Sequence, residues 1–125
     1  MYVYYGTYHY KAHDQHPAYA ELKIGMTSNI KNRMNTLYYQ DCIRVKDYRE
    51  LPEEFDFTTY ALFVESYLRM KLFEYATEHP ALNIQHIKTD YFSYNYRYWG
   101  LMESNGIQLF NKWVDEAINF LTERS

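Results

Sequence analysis

The stretch "LKIGMTSNIKNR", Leu22 to Arg33, decides how the chain is read. Leu22 to Met26 is a short strand closing on Gly25, and a helix starts just beyond it. Thr27 or Ser28 can accept a hydrogen bond from an orphan N–H of the first turn. Ile30, Met34 and Leu37 then recur at helical spacing. A glycine lets the chain turn from strand to helix. Lys23 alternates with Leu22 and Ile24, so it leaves the core side of its strand. Arg33 lies one turn after Ile30 and one before Leu37, so it flanks the buried face of the helix.

Upstream, "YVYYGTY" (residues 2–8) reads as a strand rich in aromatic and β-branched residues. Tyr2 and Tyr4 face one side, Val3 and Tyr5 the other. The polar segment "HYKAHDQHPAY" carries a proline and reads as a loop or a long hairpin connection. Its histidines His9, His13 and His16 have spacings of four and three, but Pro17 and the polar surroundings argue for a loop, which favours adventitious metal binding over a designed site; a contact to DNA is the other reading of this loop.

Downstream, Ile43 to Arg49 alternates as a third strand, and "ELPEEFD" breaks the pattern. A long helix is predicted from Thr58 to His79, starting after Asp56 and stopped by Pro80. Residues 84–95 read as extended chain with turns. A last helix runs from about Gln108 to Glu123, with Leu109, Trp113, Ala117 or Ile118, and Leu121 on one face. The order β-β-α-β-α-(β)-α predicts a small α/β domain. Its sheet is mainly antiparallel and three-stranded, flanked by helices, in a single domain spanning residues 1–125.

Composition narrows the function classes. The chain has 125 residues, enough for one modest core. No apolar run approaches the roughly 20 residues of a membrane span, and "MYVYYGTYHYK" lacks the pattern of a signal peptide. Cys42 is the lone cysteine, expected to be a small buried residue, and it points to a reducing compartment. The expected location is cytoplasmic, or the interior of a host cell if the chain is viral. Sixteen tyrosines cannot all be buried, because each hydroxyl needs a partner, so many line a surface or a cleft. The net charge is −3 but uneven. Six basic side chains face four acidic ones between residues 20 and 50, and six face eleven from residue 51 onward. A basic first half suits a phosphate backbone.

On the long helix, Ala61, Leu68 and Leu72 stand at i−4, i+3 and i+7 from Glu65. A carboxylate is thereby set on an apolar stripe, where burial is costly unless it is paired or bound to metal.

These residues together resemble the GIY-YIG endonuclease family. Tyr2-Val3-Tyr4 lies where that family has Gly-Ile-Tyr, and Lys23-Ile24-Gly25 where it has Tyr-Ile-Gly. The run Gly25, Thr27, Ile30, Arg33 fits its strand-to-helix junction, and Glu65 its helix glutamate. The subgroup it resembles most is the one called T5orf172 or MUG113-like, where "KIG" is common and a Glu-Trp-Phe-like triplet tends to follow the Glu helix. Asp90-Tyr91-Phe92 looks like a version of that triplet. The resemblance covers roughly residues 2–93.

It implies metal-dependent hydrolysis of DNA phosphodiester bonds. The implied catalytic set is Tyr4 at the attacking water, Arg33 and Lys23 at the phosphate, and Glu65 on one Mg²⁺ or Mn²⁺ ion. Tyr5, Thr27 and Lys31 are implied as substrate contacts, and Tyr4 and Tyr5 could exchange roles. Neighbouring cations would have to lower the phenol's pKa for it to act as a base; otherwise it only orients the water. DNA is the implied partner, with a homo-oligomer or a protein partner supplying specificity. The alternative is a catalytically inactive binding module for nucleic acid, a nucleotide or a protein. Lys23 in place of the family tyrosine favours that alternative.

Overall fold

The computed structural model describes residues 1–54 and 59–124. Strands β1 (Tyr2–Tyr10) and β2 (Tyr19–Thr27) form a long hairpin, followed by α1 (Ile30–Asp41) and β3 (Arg44–Glu50). Next come α2 (Thr59–Glu78), a second hairpin of β4 (Gln85–Lys88) and β5 (Tyr91–Tyr94), and α3 (Trp99–Arg124). The sheet is antiparallel with order β3-β1-β2-β5-β4. It has five strands rather than three. The segment read as extended chain with turns is in fact β4 and β5, too short for periodicity to separate from loop. The predicted helix start at Thr58 lies outside the described residues.

Alternation along β1 and β2 gives the sheet two unlike faces. Val3 and Tyr5 share one face with Leu22, Ile24 and, on β5, Phe92. Against it pack Ala61, Val64, Leu68 and Leu72 of α2, with Met102, Phe110, Trp113, Val114 and Ala117 of α3. This is the main core, and its hydrophobic burial is the chief stabilising term. Tyr4, Gly6, Lys23, Gly25 and Tyr91 share the other face. There Ile30 and Leu37 of α1 close a smaller cluster over Tyr4 and Ile43.

Three local expectations are corrected. Asn29, not Thr27 or Ser28, caps α1: its Oδ1 accepts from the Asn32 N–H at 3.1 Å. Cys42 is exposed, at the left-handed residue ending α1 (φ 59°), rather than buried. α3 begins at Trp99, well before Gln108. Its first turns hold Gly100, Ser104, Asn105 and Gly106, poor helix formers that hide the start from propensity. Packing overrides them, because Tyr5 Oη donates to the Met102 carbonyl at 2.9 Å.

That hydrogen bond yields one expectation. Tyr5→Phe should lower stability by about 1 kcal/mol, the usual net worth of one intramolecular hydrogen bond. Urea unfolding measures it. A loss of several kcal/mol would mean that the phenol holds more than this contact.

Candidate functional site

The open face of the sheet brings together side chains from β1, β2, α1 and the β4–β5 turn. Tyr4 is 0% exposed. Its ring lies across Gly25, its register partner on β2. A Cβ at residue 25 would fall 2.4 Å from Tyr4 Oη and 2.6 Å from Cζ. No glycine in the described residues has positive φ. Gly25 therefore serves to make room for a phenol, not to turn the chain, and β2 runs straight through it to Thr27.

Arg33, the fourth residue of α1, donates from Nη1 to Tyr4 Oη at 3.3 Å. The phenol keeps one donor and one acceptor site free. Burial raises the Tyr4 pKa above its usual value of 10.0, outweighing the lowering by Arg33. The hydroxyl thus stays protonated at neutral pH. Of the two roles open to it, orienting a water or donating to an oxyanion suits it, and acting as a base does not.

Lys23 is 7% exposed, although its side points away from the main core. Its Nζ sits 4.0 Å from the centre of the Tyr91 ring. Among the described residues no carboxylate lies within ion-pair distance of it. Burial lowers its pKa; Arg33 and Lys88 lower it further, while Asp90 and Asp41 oppose them. A sequestered ammonium held by a ring and by carboxylates beyond ion-pair distance is costly, and an incoming anion would relieve that cost. The Tyr91 ring is fixed in turn, since its hydroxyl donates to Asp41 Oδ2 on α1 at 2.8 Å.

Glu65 lies on α2, which packs on the other face of the sheet, and is linked to this group through Arg69 and Asp90. Its side chain is 13% exposed, on the stripe that Ala61, Leu68 and Leu72 bury. It is paired with Arg69, one turn along α2, and Arg69 Nη2 also lies 3.1 Å from Asp90 Oδ1. The second contact lacks hydrogen-bond alignment: Asp90 Oδ1 and Arg69 Nε are both buried without a hydrogen-bond partner. Asp90 links the groups, because its charge acts on both Tyr4 and Lys23 and its carbonyl accepts from the Ile24 N–H at 3.2 Å.

The remaining site residues predicted from sequence fall elsewhere. Tyr5 points to the main core, on the opposite face of β1 from Tyr4, and its hydroxyl is spent on the Met102 carbonyl of α3. The strand's period of two puts the two tyrosines on opposite faces, and Tyr4 is the one bonded to Arg33. Thr27 ends β2. It is buried, and its hydroxyl is used within the turn, accepting from the Asn29 N–H at 3.1 Å. Lys31 is exposed in the first turn of α1. His13 and His16 form an isolated backbone bridge at the tip of the first hairpin.

Among the described residues no three His, Cys, Asp or Glu side chains gather as a metal cluster. Two carboxylates do converge on one cation, however, since Glu65 and Asp90 share Arg69. Such a pair of hard oxygens fits Mg²⁺, which takes one or two carboxylates and keeps several waters. Sequence reasoning missed Arg69, Asp41 and Lys88. Of these, only Arg69 carried a signal, its i+4 spacing from Glu65.

No helix of the described residues is long and apolar enough to cross a membrane. Among known families, the model of the T5orf172 domain matches residues 1–121. No curated protein and no solved structure matches the chain.

Proposed function

The chain belongs to the T5orf172 domain family, and from that premise we propose that it is a metal-dependent, GIY-YIG-type endonuclease hydrolysing DNA phosphodiester bonds. The phosphate-binding half of this reading rests on Lys23, buried among Arg33, Tyr4 and Tyr91 with, among the described residues, no carboxylate within ion-pair distance, and its hydrolytic half on the Glu65 and Asp90 carboxylates that share Arg69. The arrangement around Lys23 favours a ligand that brings negative charge and oxygen acceptors together, as a phosphodiester does.

In the proposed reaction a water oxygen bonds to phosphorus and one ester P–O bond breaks. The water gives up a proton, and the leaving oxygen gains one. Arg33 and Lys23 neutralise the charge that builds on the non-bridging oxygens. Tyr4, held protonated, orients the water or donates to the same oxyanion. Glu65, with Asp90 beside it, would hold a Mg²⁺ or Mn²⁺ ion, whose chemistry is to acidify a bound water and offset phosphate charge. Arg69 must then move away from Glu65.

Arg69 also supports a second reading. Its guanidinium already neutralises Glu65, which suits a binding module that needs no metal. Supercoiled plasmid and a branched DNA, incubated with Mg²⁺, Mn²⁺ or EDTA, separate the two. The nuclease reading expects nicking that EDTA stops and that Glu65→Ala reduces at least about tenfold, the lower end of what disturbing a metal's ligand surroundings costs. If the folded protein cuts neither DNA yet binds one, and Glu65→Gln binds equally well, the module reading replaces it.

A further inference from the structure

The Tyr91 ring holds a second cation. Lys88 Nζ lies 4.9 Å from its centre, opposite the 4.0 Å contact of Lys23 in sheet order. The register explains why. Lys88 on β4 pairs with Tyr91 on β5, Tyr91 with Lys23 on β2, and Lys23 with Gly6 on β1. These side chains form one row across the open face, with the two lysines two strand spacings apart, roughly 10 Å at Cα.

Lys88 holds this place only because β4 is irregular. His86 pairs with Phe92, so regular antiparallel counting would set Ile87 against Tyr91. A register shift between His86 and Lys88 skips Ile87 and delivers Lys88 there instead. Bulges re-aim side chains in this way. The turn is fixed beyond it: Thr89 has φ 33°, and His86 Nε2 lies 2.9 Å from the Thr89 carbonyl. Ile87 is left exposed. Among the described residues Lys88, like Lys23, has no carboxylate within ion-pair distance. A strand that exposes an isoleucine to place a second unpaired cation beside the first has an arrangement suited to more than one negative charge.

We propose that the Lys88–Tyr91–Lys23 row is a track for a nucleic-acid strand, in which Lys88 binds a phosphate next along the strand from the one held by Lys23 and Arg33. This rests on the phosphodiester reading above and adds to it that the ligand is a continuous strand with at least two consecutive phosphates. Lys88 is a binding residue here and takes no part in the bond change.

The test is anisotropy of a fluorescein-labelled single-stranded oligonucleotide in EDTA, titrated from low to moderate salt. It compares wild type, Lys88→Ala, Lys88→Arg and Lys112→Ala, the last a cation on α3 away from the open face. The expected result is a weaker Kd for Lys88→Ala. Its slope of log affinity against log salt should be smaller by about 0.7, the value of one single-strand phosphate contact. Lys88→Arg should restore the slope, and Lys112→Ala should leave it as in wild type. An unchanged slope in Lys88→Ala, with wild type binding normally, overturns the track and leaves the phosphodiester reading standing. An equal loss in Lys112→Ala also overturns it, because net charge then explains the effect. If folded wild type binds neither this oligonucleotide nor a branched DNA, both readings fall together.

Discussion

Arg33→Ala should slow DNA nicking by about 10²–10³-fold, the range seen when one preorganised donor to a developing oxyanion is removed. The argument is geometric. Arg33 comes from the first turn of α1, where the Asn29 cap fixes the helix, and it reaches over to the Tyr4 hydroxyl. Removing it takes away the proposed phosphate contact and also the hydrogen bond to Tyr4. The fold should survive, because Ile30 and Leu37, not Arg33, anchor α1 to the sheet. Arg33→Lys should recover only part of the rate, since an ammonium cannot hold the phenol and a phosphate with a planar fork. Single-turnover nicking beside a thermal melt measures this. Wild-type nicking by a folded Arg33→Ala protein would remove Arg33 from the site.

Gly25→Ala should lower stability by about 1–3 kcal/mol, the usual cost of overpacking, and should also suppress nicking. A single methyl group would meet the Tyr4 ring from Oη to Cζ, and the ring has nowhere to go because it is fully buried under α1. The proposed cause can be separated from a general loss of stability. Tyr4→Ala opens the space that the methyl group needs. The two substitutions together should then cost clearly less than the sum of the single costs, a coupling that urea unfolding reads as a double-mutant cycle. Additive costs would show that residue 25 and the phenol do not meet. A backbone explanation for the glycine predicts additivity, because Tyr4→Ala would leave any turn strain in place.

The sequence made the first half of the molecule legible and the second half much less so. The hairpin, α1, β3 and α2 follow from strand alternation and apolar helical spacing, each readable within about ten residues, while the cap of α1 fell on Asn29 instead of Thr27 or Ser28. Tyr4, Lys23 and Arg33 could be named because they stand at the motif positions through which the chain resembles the GIY-YIG family; spacing alone gave only their facing along β1, β2 and α1. What Gly25 does could not be read so, since the atom that requires a glycine belongs to a residue on another strand. β4 and β5 have four residues each, shorter than a period-two pattern needs to stand out. Lys88 was hidden for a stronger reason: its facing depends on a bulge, and regular counting gives the opposite answer. Tyr5 was placed at the site by its nearness to Tyr4, yet one residue along a strand is the other side of the sheet.

The irregularity of β4 also bears on how the protein behaves in a crowded solution. β4 is an outer strand of the sheet, and all four of its residues are exposed. A flat, regular outer strand offers its free N–H and C=O groups as a template for a strand of another molecule, which is a route to aggregation. Here the skipped Ile87 breaks the repeat of those groups, and Lys88 puts a charge beside them. The same displacement that aims a cation at Tyr91 therefore leaves this border of the sheet poorly matched to any regular strand that might be added to it. Restoring the even register by deleting Ile87 would remove that protection.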